Sequence, residues 1–224
     1  AADVVLIDVP AFDWCYGCSA TSAAMLFGYY DRNGYSNMYA GPMNGGVCPL
    51  DNSGWGYEES PLSATHEGYD GLVSRGHVDD YWSGFGSTVD PYYGNWAEHG
   101  YADCTADFMG TSQYDNWHNS DGSTTFYFDF DTHARVEDFS SCESYSPSRR
   151  DGMRGMRLFA ESRGYSVLVN YNQCIAGYGG VSTGFTYEQY KDEIDAGRPV
   201  VVPVSYTHLR AHETVLDLVC RLLL

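Results

Sequence analysis

The alternation of apolar and polar positions divides the chain into an ordered start, a long irregular middle and an ordered close. Residues 4–9 are an apolar run closed by Pro10, which predicts a short strand leading into a loop. Residues 18–30 are small or apolar with no glycine before Gly28, and Cys18, Ser22, Met25 and Tyr29 recur at helical spacing. Gly17 precedes them, so Cys18 is expected at the helix N-terminus. Residues 31–148 are rich in Gly, Asn, Asp, Ser and aromatics with little apolar periodicity, which predicts loops and short hairpins. Within them residues 124–130 are the clearest strand.

Order returns near Asp151 with a helical pattern that stops at Gly164, followed by a predicted strand over residues 165–171. Thr186 and Gln189 have the spacing of a capping box, Gly197 marks the end of the helix they open, and residues 200–202 begin a further strand. One helix, a variable middle and a helix-strand-helix-strand close predict an α+β domain with a large loop-rich insertion. A chain of 224 residues can hold this as one domain with a proper core.

Charge narrows the partners. Twelve Lys and Arg against thirty Asp and Glu leave a net charge of −18, which argues against nucleic acid and anionic membrane as partners. A single lysine, Lys191, among twenty tyrosines suits an extracellular surface, and no apolar run has the length of a membrane span. Of Cys15, Cys18, Cys48, Cys104, Cys142 and Cys174, one as a free nucleophile leaves five, which would accommodate two disulfides and a spare thiol in an oxidising compartment. Cys15 and Cys18 also have the spacing of a zinc half-site, although no second such pair follows.

The most informative stretch is D-W-C-Y-G-C-S-A-T-S-A-A-M, residues 13–25, where a cysteine opens a helix directly after an aromatic and a glycine. Unpaired N–H groups and the positive end of the helix dipole favour a thiolate, and the same N–H groups can stabilise an oxyanion. Cys18 is therefore a candidate nucleophile and its backbone N–H a candidate oxyanion donor. A disulfide partner or a small core residue is the competing reading.

That segment resembles the nucleophile motif of the bacteriocin-processing-peptidase-like branch of papain-fold cysteine peptidases. The likeness extends to Y-Y-D-R-N-G-Y-S-N-M-Y-A-G, to G-G-V-C-P-L at residues 45–50, to G-H-V-D-D-Y-W at residues 76–82, and to A-G-R-P-V-V-V-P at residues 196–203. It is similar to secreted bacterial members over nearly all of residues 1–203. The resemblance implies a papain-like fold, Cys18 as nucleophile, a histidine after the A-G-R-P strand and an Asn or Asp beyond it, with a peptide or protein substrate and no cofactor. Papain-like enzymes usually carry a glutamine shortly before the cysteine as oxyanion donor, and none stands between Ala1 and Cys18.

Residues 204–224 are identified as a different kind of sequence. V-S-Y-T-H-L-R-A-H-E-T and L-V-C-R-L-L-L are similar to the two constant blocks of a translated transposon-type sequencing adapter, with Val215, Leu216 and Asp217 in the place of its index. The resemblance implies that His208, His212 and Cys220 carry no functional weight and that the native histidine and Asn or Asp are replaced. The competing reading is a C-terminal amphipathic helix over residues 211–224. Without the tail ten basic and twenty-eight acidic residues remain, and the charge is unchanged.

Other candidates are weaker. His66, His77, His99, His118 and His133 could each supply a base, and spacing favours none. His77 with Asp79 and Asp80 is either a metal cluster or a solvated turn; residues 115–123 have calcium-like oxygen density or form a polar hairpin turn. The aromatics either line a groove for peptide or glycan or cover the core. The expectation is a secreted cysteine peptidase forming a thioester acyl-enzyme on Cys18, with no resident metal, inactive as it stands and open to attachment of other domains in a longer protein. The alternatives are a non-catalytic binding module on the same fold, and an amidase or acyltransferase acting on cell-wall peptide.

Overall fold

A computed structural model of the chain describes residues 4–14, 17–39, 46–54, 60, 62–63, 104–111, 119, 122–137 and 151–203, together with the backbone of residues 218–223. In chain order these residues form α1 (Cys18–Arg32), α2 (Thr105–Met109), β1 (Val136–Glu137), α3 (Gly152–Ser162), β2 (Val169–Cys174), a 3-10 turn (Tyr178–Gly180), α4 (Tyr187–Asp195) and β3 (Leu218–Leu223). Helices and a small antiparallel sheet of order β1-β2-β3 make a mixed arrangement compatible with the α+β class.

The core gathers around α1. Ala20, Ala23, Ala24 and Phe27 are fully buried, and small residues let neighbouring elements approach the helix closely. Phe27 meets Phe159 of α3 with ring centroids 4.5 Å apart, and Phe108 of α2 meets the same ring edge-on at 5.5 Å. Gly155 permits the α2–α3 contact, because a Cβ there would stand 2.2 Å from the Phe108 carbonyl oxygen. The helices start where local chemistry directs. Asp151 caps α3 by accepting from Met153 N and Arg154 N, and Thr186 and Gln189 close a reciprocal capping box on α4.

The strands depart from the sequence pattern. Residues 4–9 pair in no ladder and bend at Asp8, whose φ is +59°, and Val5 and Ile7 are 76% and 71% exposed. Residues 124–130 likewise form no ladder, because their main chain is satisfied from elsewhere. Tyr127 N donates to the Asp151 carboxylate at 2.7 Å, and the Tyr127 carbonyl accepts from Asn172 Nδ2 at 3.1 Å. The strand expected over residues 165–171 starts later, at Val169, and runs to Cys174. Of residues 200–202 only Val201 takes part in a bridge. Residues 218–223 pair antiparallel with all of β2, Val169 opposite Leu223 and Cys174 opposite Leu218, in place of the helical alternative for the C-terminal residues.

Candidate active site

Cys18 is the first residue of α1, as the glycine before it directs. Gly17 has φ +152°, and a Cβ on it would stand 2.5 Å from Thr111 Cγ2 and 2.6 Å from the Gly122 carbonyl oxygen. Any other residue would push the helix start away from those neighbours. The first bond along the helix runs from Thr21 N to Gly17 O at 3.0 Å, reinforced by the Thr21 hydroxyl at 2.8 Å. Gly17 has no side chain to cap the first turn, so the N–H groups of Cys18, Ser19 and Ala20 stand at the positive end of a 15-residue helix without a cap from the N-cap residue. Thr105 Oγ1 donates to Ala20 O at 2.8 Å, which fixes the first turn against α2.

The cysteines divide by burial. Cys18 is exposed and free, whereas Cys48, Cys104 and Cys174 are buried. Burial pushes the Cys48 thiol far up, with the Asp31 charge adding to the rise and Arg32 opposing it; burial and then Asp129 raise Cys174. Cys18, Cys48 and Cys174 are all free thiols, so the six cysteines do not form the two disulfides expected beside a free nucleophile and a spare thiol. The sulfurs of the latter two are committed to the interior, Cys48 beside Gly28 and Cys174 turned to Asp129 O at 3.6 Å.

The least buried stripe of α1 runs from Cys18 through Ser22 to Met25. Ser22 and Met25, with Leu26, Val9 and residues 199–202, line a cavity of about 220 Å³, and Cys18 stands one turn before Ser22, outside that lining. Tyr29 of α1 holds the segment of residues 199–202 by donating its hydroxyl to Gly197 O at 2.8 Å, and Arg198 ties it back to α4 through a two-pronged bond to buried Glu193 at 2.6 and 3.1 Å. Thus the helix that carries Cys18 and the A-G-R-P stretch, remote in sequence, share one groove.

Of the five candidate histidines only His133 is among the described residues. It is buried with φ +55°, its Nδ1 lies 2.9 Å from Thr183 O, and its carbonyl accepts from Gln173 Nε2 at 3.1 Å. These contacts occupy it at the end of β2, and none of them is with Cys18. His66, His77, His99, His118, Asp79, Asp80, Cys15, Cys142 and most of residues 115–123 lie outside the described residues, as do His208 and His212. Among the described residues no group of three His, Cys, Asp or Glu is placed to hold a metal ion, and no helix is long and apolar enough to cross a membrane.

Sequence reasoning missed the work of Asp31 and Arg32. The Asp31 carboxylate accepts from Tyr39 N at 3.1 Å and Cys48 N at 2.9 Å, and Arg32 Nη1 donates to Cys48 O at 2.8 Å. The Y-Y-D-R-N-G-Y and G-G-V-C-P-L stretches are therefore one structural unit at the C-terminal end of α1. An acid followed by a base at a helix end was the available signal. Compared with protein-family models, with curated proteins and with solved structures, the chain matches none.

Proposed function

We propose that residues 1–203 belong to a secreted cysteine peptidase of papain-like fold in which Cys18 attacks a peptide carbonyl. The observation that carries the reading is the exposed thiol of Cys18 as the first residue of α1, one turn before Ser22, which lines the groove shared with residues 199–202. Attack by the sulfur forms a tetrahedral oxyanion facing the Cys18 N–H. Collapse expels the amine, which takes up a proton, and leaves a thioester; water then releases the acid and restores the thiol. A histidine supplied after Pro203 in the native sequence would move those protons, residues 204–224 being adapter-derived in this reading.

Thiol mapping tests the nucleophile. Iodoacetamide at neutral pH should label Cys18 ahead of buried Cys48, Cys104 and Cys174 and also faster than it labels free glutathione, a lead that exposure alone does not give. Preferential labelling of Cys15 would point to a redox or metal pair instead. A non-catalytic binding module is the second reading, favoured by the one described histidine being committed to Thr183. It predicts an exposed Cys18 thiol that labels no faster than free glutathione at the same pH.

A further inference from the structure

We propose that Thr21 is a positioning residue for the oxyanion donor, acting through the Gly17–Cys18 peptide. The inference rests on the reading of Cys18 as a nucleophile. The Gly17 carbonyl accepts twice from Thr21, from its N at 3.0 Å and from its Oγ1 at 2.8 Å. That carbonyl and the Cys18 N–H belong to one planar unit, and in a trans peptide they point in opposite directions. Gripping the oxygen therefore aims the N–H, which leaves the helix at its N-terminal end.

Two features separate Thr21 from a threonine that merely bonds back along a helix. The first is where its bond falls. Thr and Ser hydroxyls commonly bond the carbonyl one turn earlier, but here that carbonyl belongs to the N-cap, so the N–H on its far side is the first of the helix and has no partner within it. The second is burial. Thr21 is 3% exposed, and Ser63, whose Oγ lies 3.5 Å from the Thr21 hydroxyl, is fully buried. In such surroundings a bond to the oxygen polarises the peptide and makes its N–H the stronger donor. Packing fixes the neighbouring atoms: a Cβ on Gly17 would meet Thr111 Cγ2 and the Gly122 carbonyl oxygen, and Thr105 Oγ1 holds Ala20 O at 2.8 Å on the same turn. Thr21 supplies the contact at the oxygen of the reactive peptide itself.

The test uses two reagents on the full chain, both read at Cys18 by peptide mapping. Acylation by p-nitrophenyl acetate passes through a tetrahedral oxyanion: the sulfur adds to the ester carbonyl, p-nitrophenolate leaves, the thiol proton goes to solvent, and an acetyl thioester remains. Alkylation by iodoacetamide displaces iodide and forms no oxyanion. Thr21→Val keeps the shape and loses the hydroxyl, Thr21→Ala also loses it, and Thr21→Ser retains it. The Val and Ala variants should acylate about three- to tenfold more slowly, a part of the roughly hundredfold or greater cost of losing an oxyanion donor outright. Their alkylation should change less, and Thr21→Ser should stay near the parent in both reactions. Unchanged acylation in the Val and Ala variants would overturn the proposal. So would equal slowing of both reactions, or a Thr21→Ser variant as slow as Thr21→Val, since either marks a displaced thiol rather than a weakened donor. A parent chain whose Cys18 alkylates no faster than free glutathione would overturn the nucleophile reading, and the positioning role with it.

Discussion

The buried carboxylate of Asp31 receives the Cys48 amide at 2.9 Å, joining the last turn of α1 to a loop seventeen residues further on. The same carboxylate takes the Tyr39 amide at 3.1 Å. Removing it leaves two N–H groups without their acceptor in an interior where water does not replace it. Asp31→Ala should therefore cost about 3 kcal/mol, measured by urea unfolding, and should raise iodoacetamide labelling of Cys48. A loss within a few tenths of a kcal/mol would mean that the loop is held by its apolar contacts alone.

Asp151 links folding to pH. It is fully buried, and burial pushes its carboxyl from an ordinary 3.8 up to about 7, against the lowering pull of Tyr127 N, Arg154 N, Met153 N and Asn172 Nδ2. Between those values the folded state holds a proton that the unfolded state has released. The contribution of Asp151 to stability is therefore fully present below about pH 4 and declines as pH rises toward 7. Denaturation midpoints measured across that window should show this component of decline in the parent and lack it in the Asp151→Asn variant, whose amide does not titrate. Equal pH slopes for the two would contradict the assignment.

Two glycines separate a packing role from a backbone role. Gly155 lies against Phe108 O and Met109 Cα, whereas Gly164 has φ +93° with nothing within 4 Å of an added Cβ. Gly155→Ala should cost about 3 kcal/mol, because backbone must move. Gly164→Ala should cost about 1 kcal/mol, the strain of a positive φ. Thermal melts of the pair decide it, and the reverse order would refute the packing account of α2 on α3.

α1, α3 and α4 were legible because their signals are local, whereas α2 (Thr105–Met109) lies among residues whose composition predicts loops and hairpins. Gly17 before Cys18, and Thr186 with Gln189, each fix a helix start within a few residues. Asp151 ahead of Gly152 belonged to the same class of signal, and its capping role could have been read from the sequence. The strands were legible only in part, because a ladder needs a distant partner: the strand expected over residues 165–171 meets β2 only at residues 169–171. Residues 124–130 have strand-like composition, yet their main chain is claimed by Asp151 and Asn172. For the site, the exposure of Cys18 followed from its place at a helix start. Its groove did not, since Ser22 and residues 199–202 meet only through contacts such as Tyr29 to Gly197.

The C-terminal residues make a separate claim on stability. β3 covers the whole of β2, while the packed cluster of α1, α2 and α3 draws on described residues no later than Val201. A chain ending at Pro203 should keep its helical circular dichroism and lose strand signal, with a lower melting temperature. Loss of the helices would show that the tail supports the core. Amplification of the locus across Val204 tests its origin independently: genomic DNA encoding V-S-Y-T-H-L-R-A-H-E-T would sink the adapter reading.

The central claim is that Cys18 is the nucleophile of a peptidase, and the most direct measurement is peptide hydrolysis by the protein from the native reading frame, with Cys18 intact and as Cys18→Ala. The account predicts hydrolysis by the first and none above background by the second, with the 224-residue chain inactive as well. Hydrolysis that survives Cys18→Ala would contradict it.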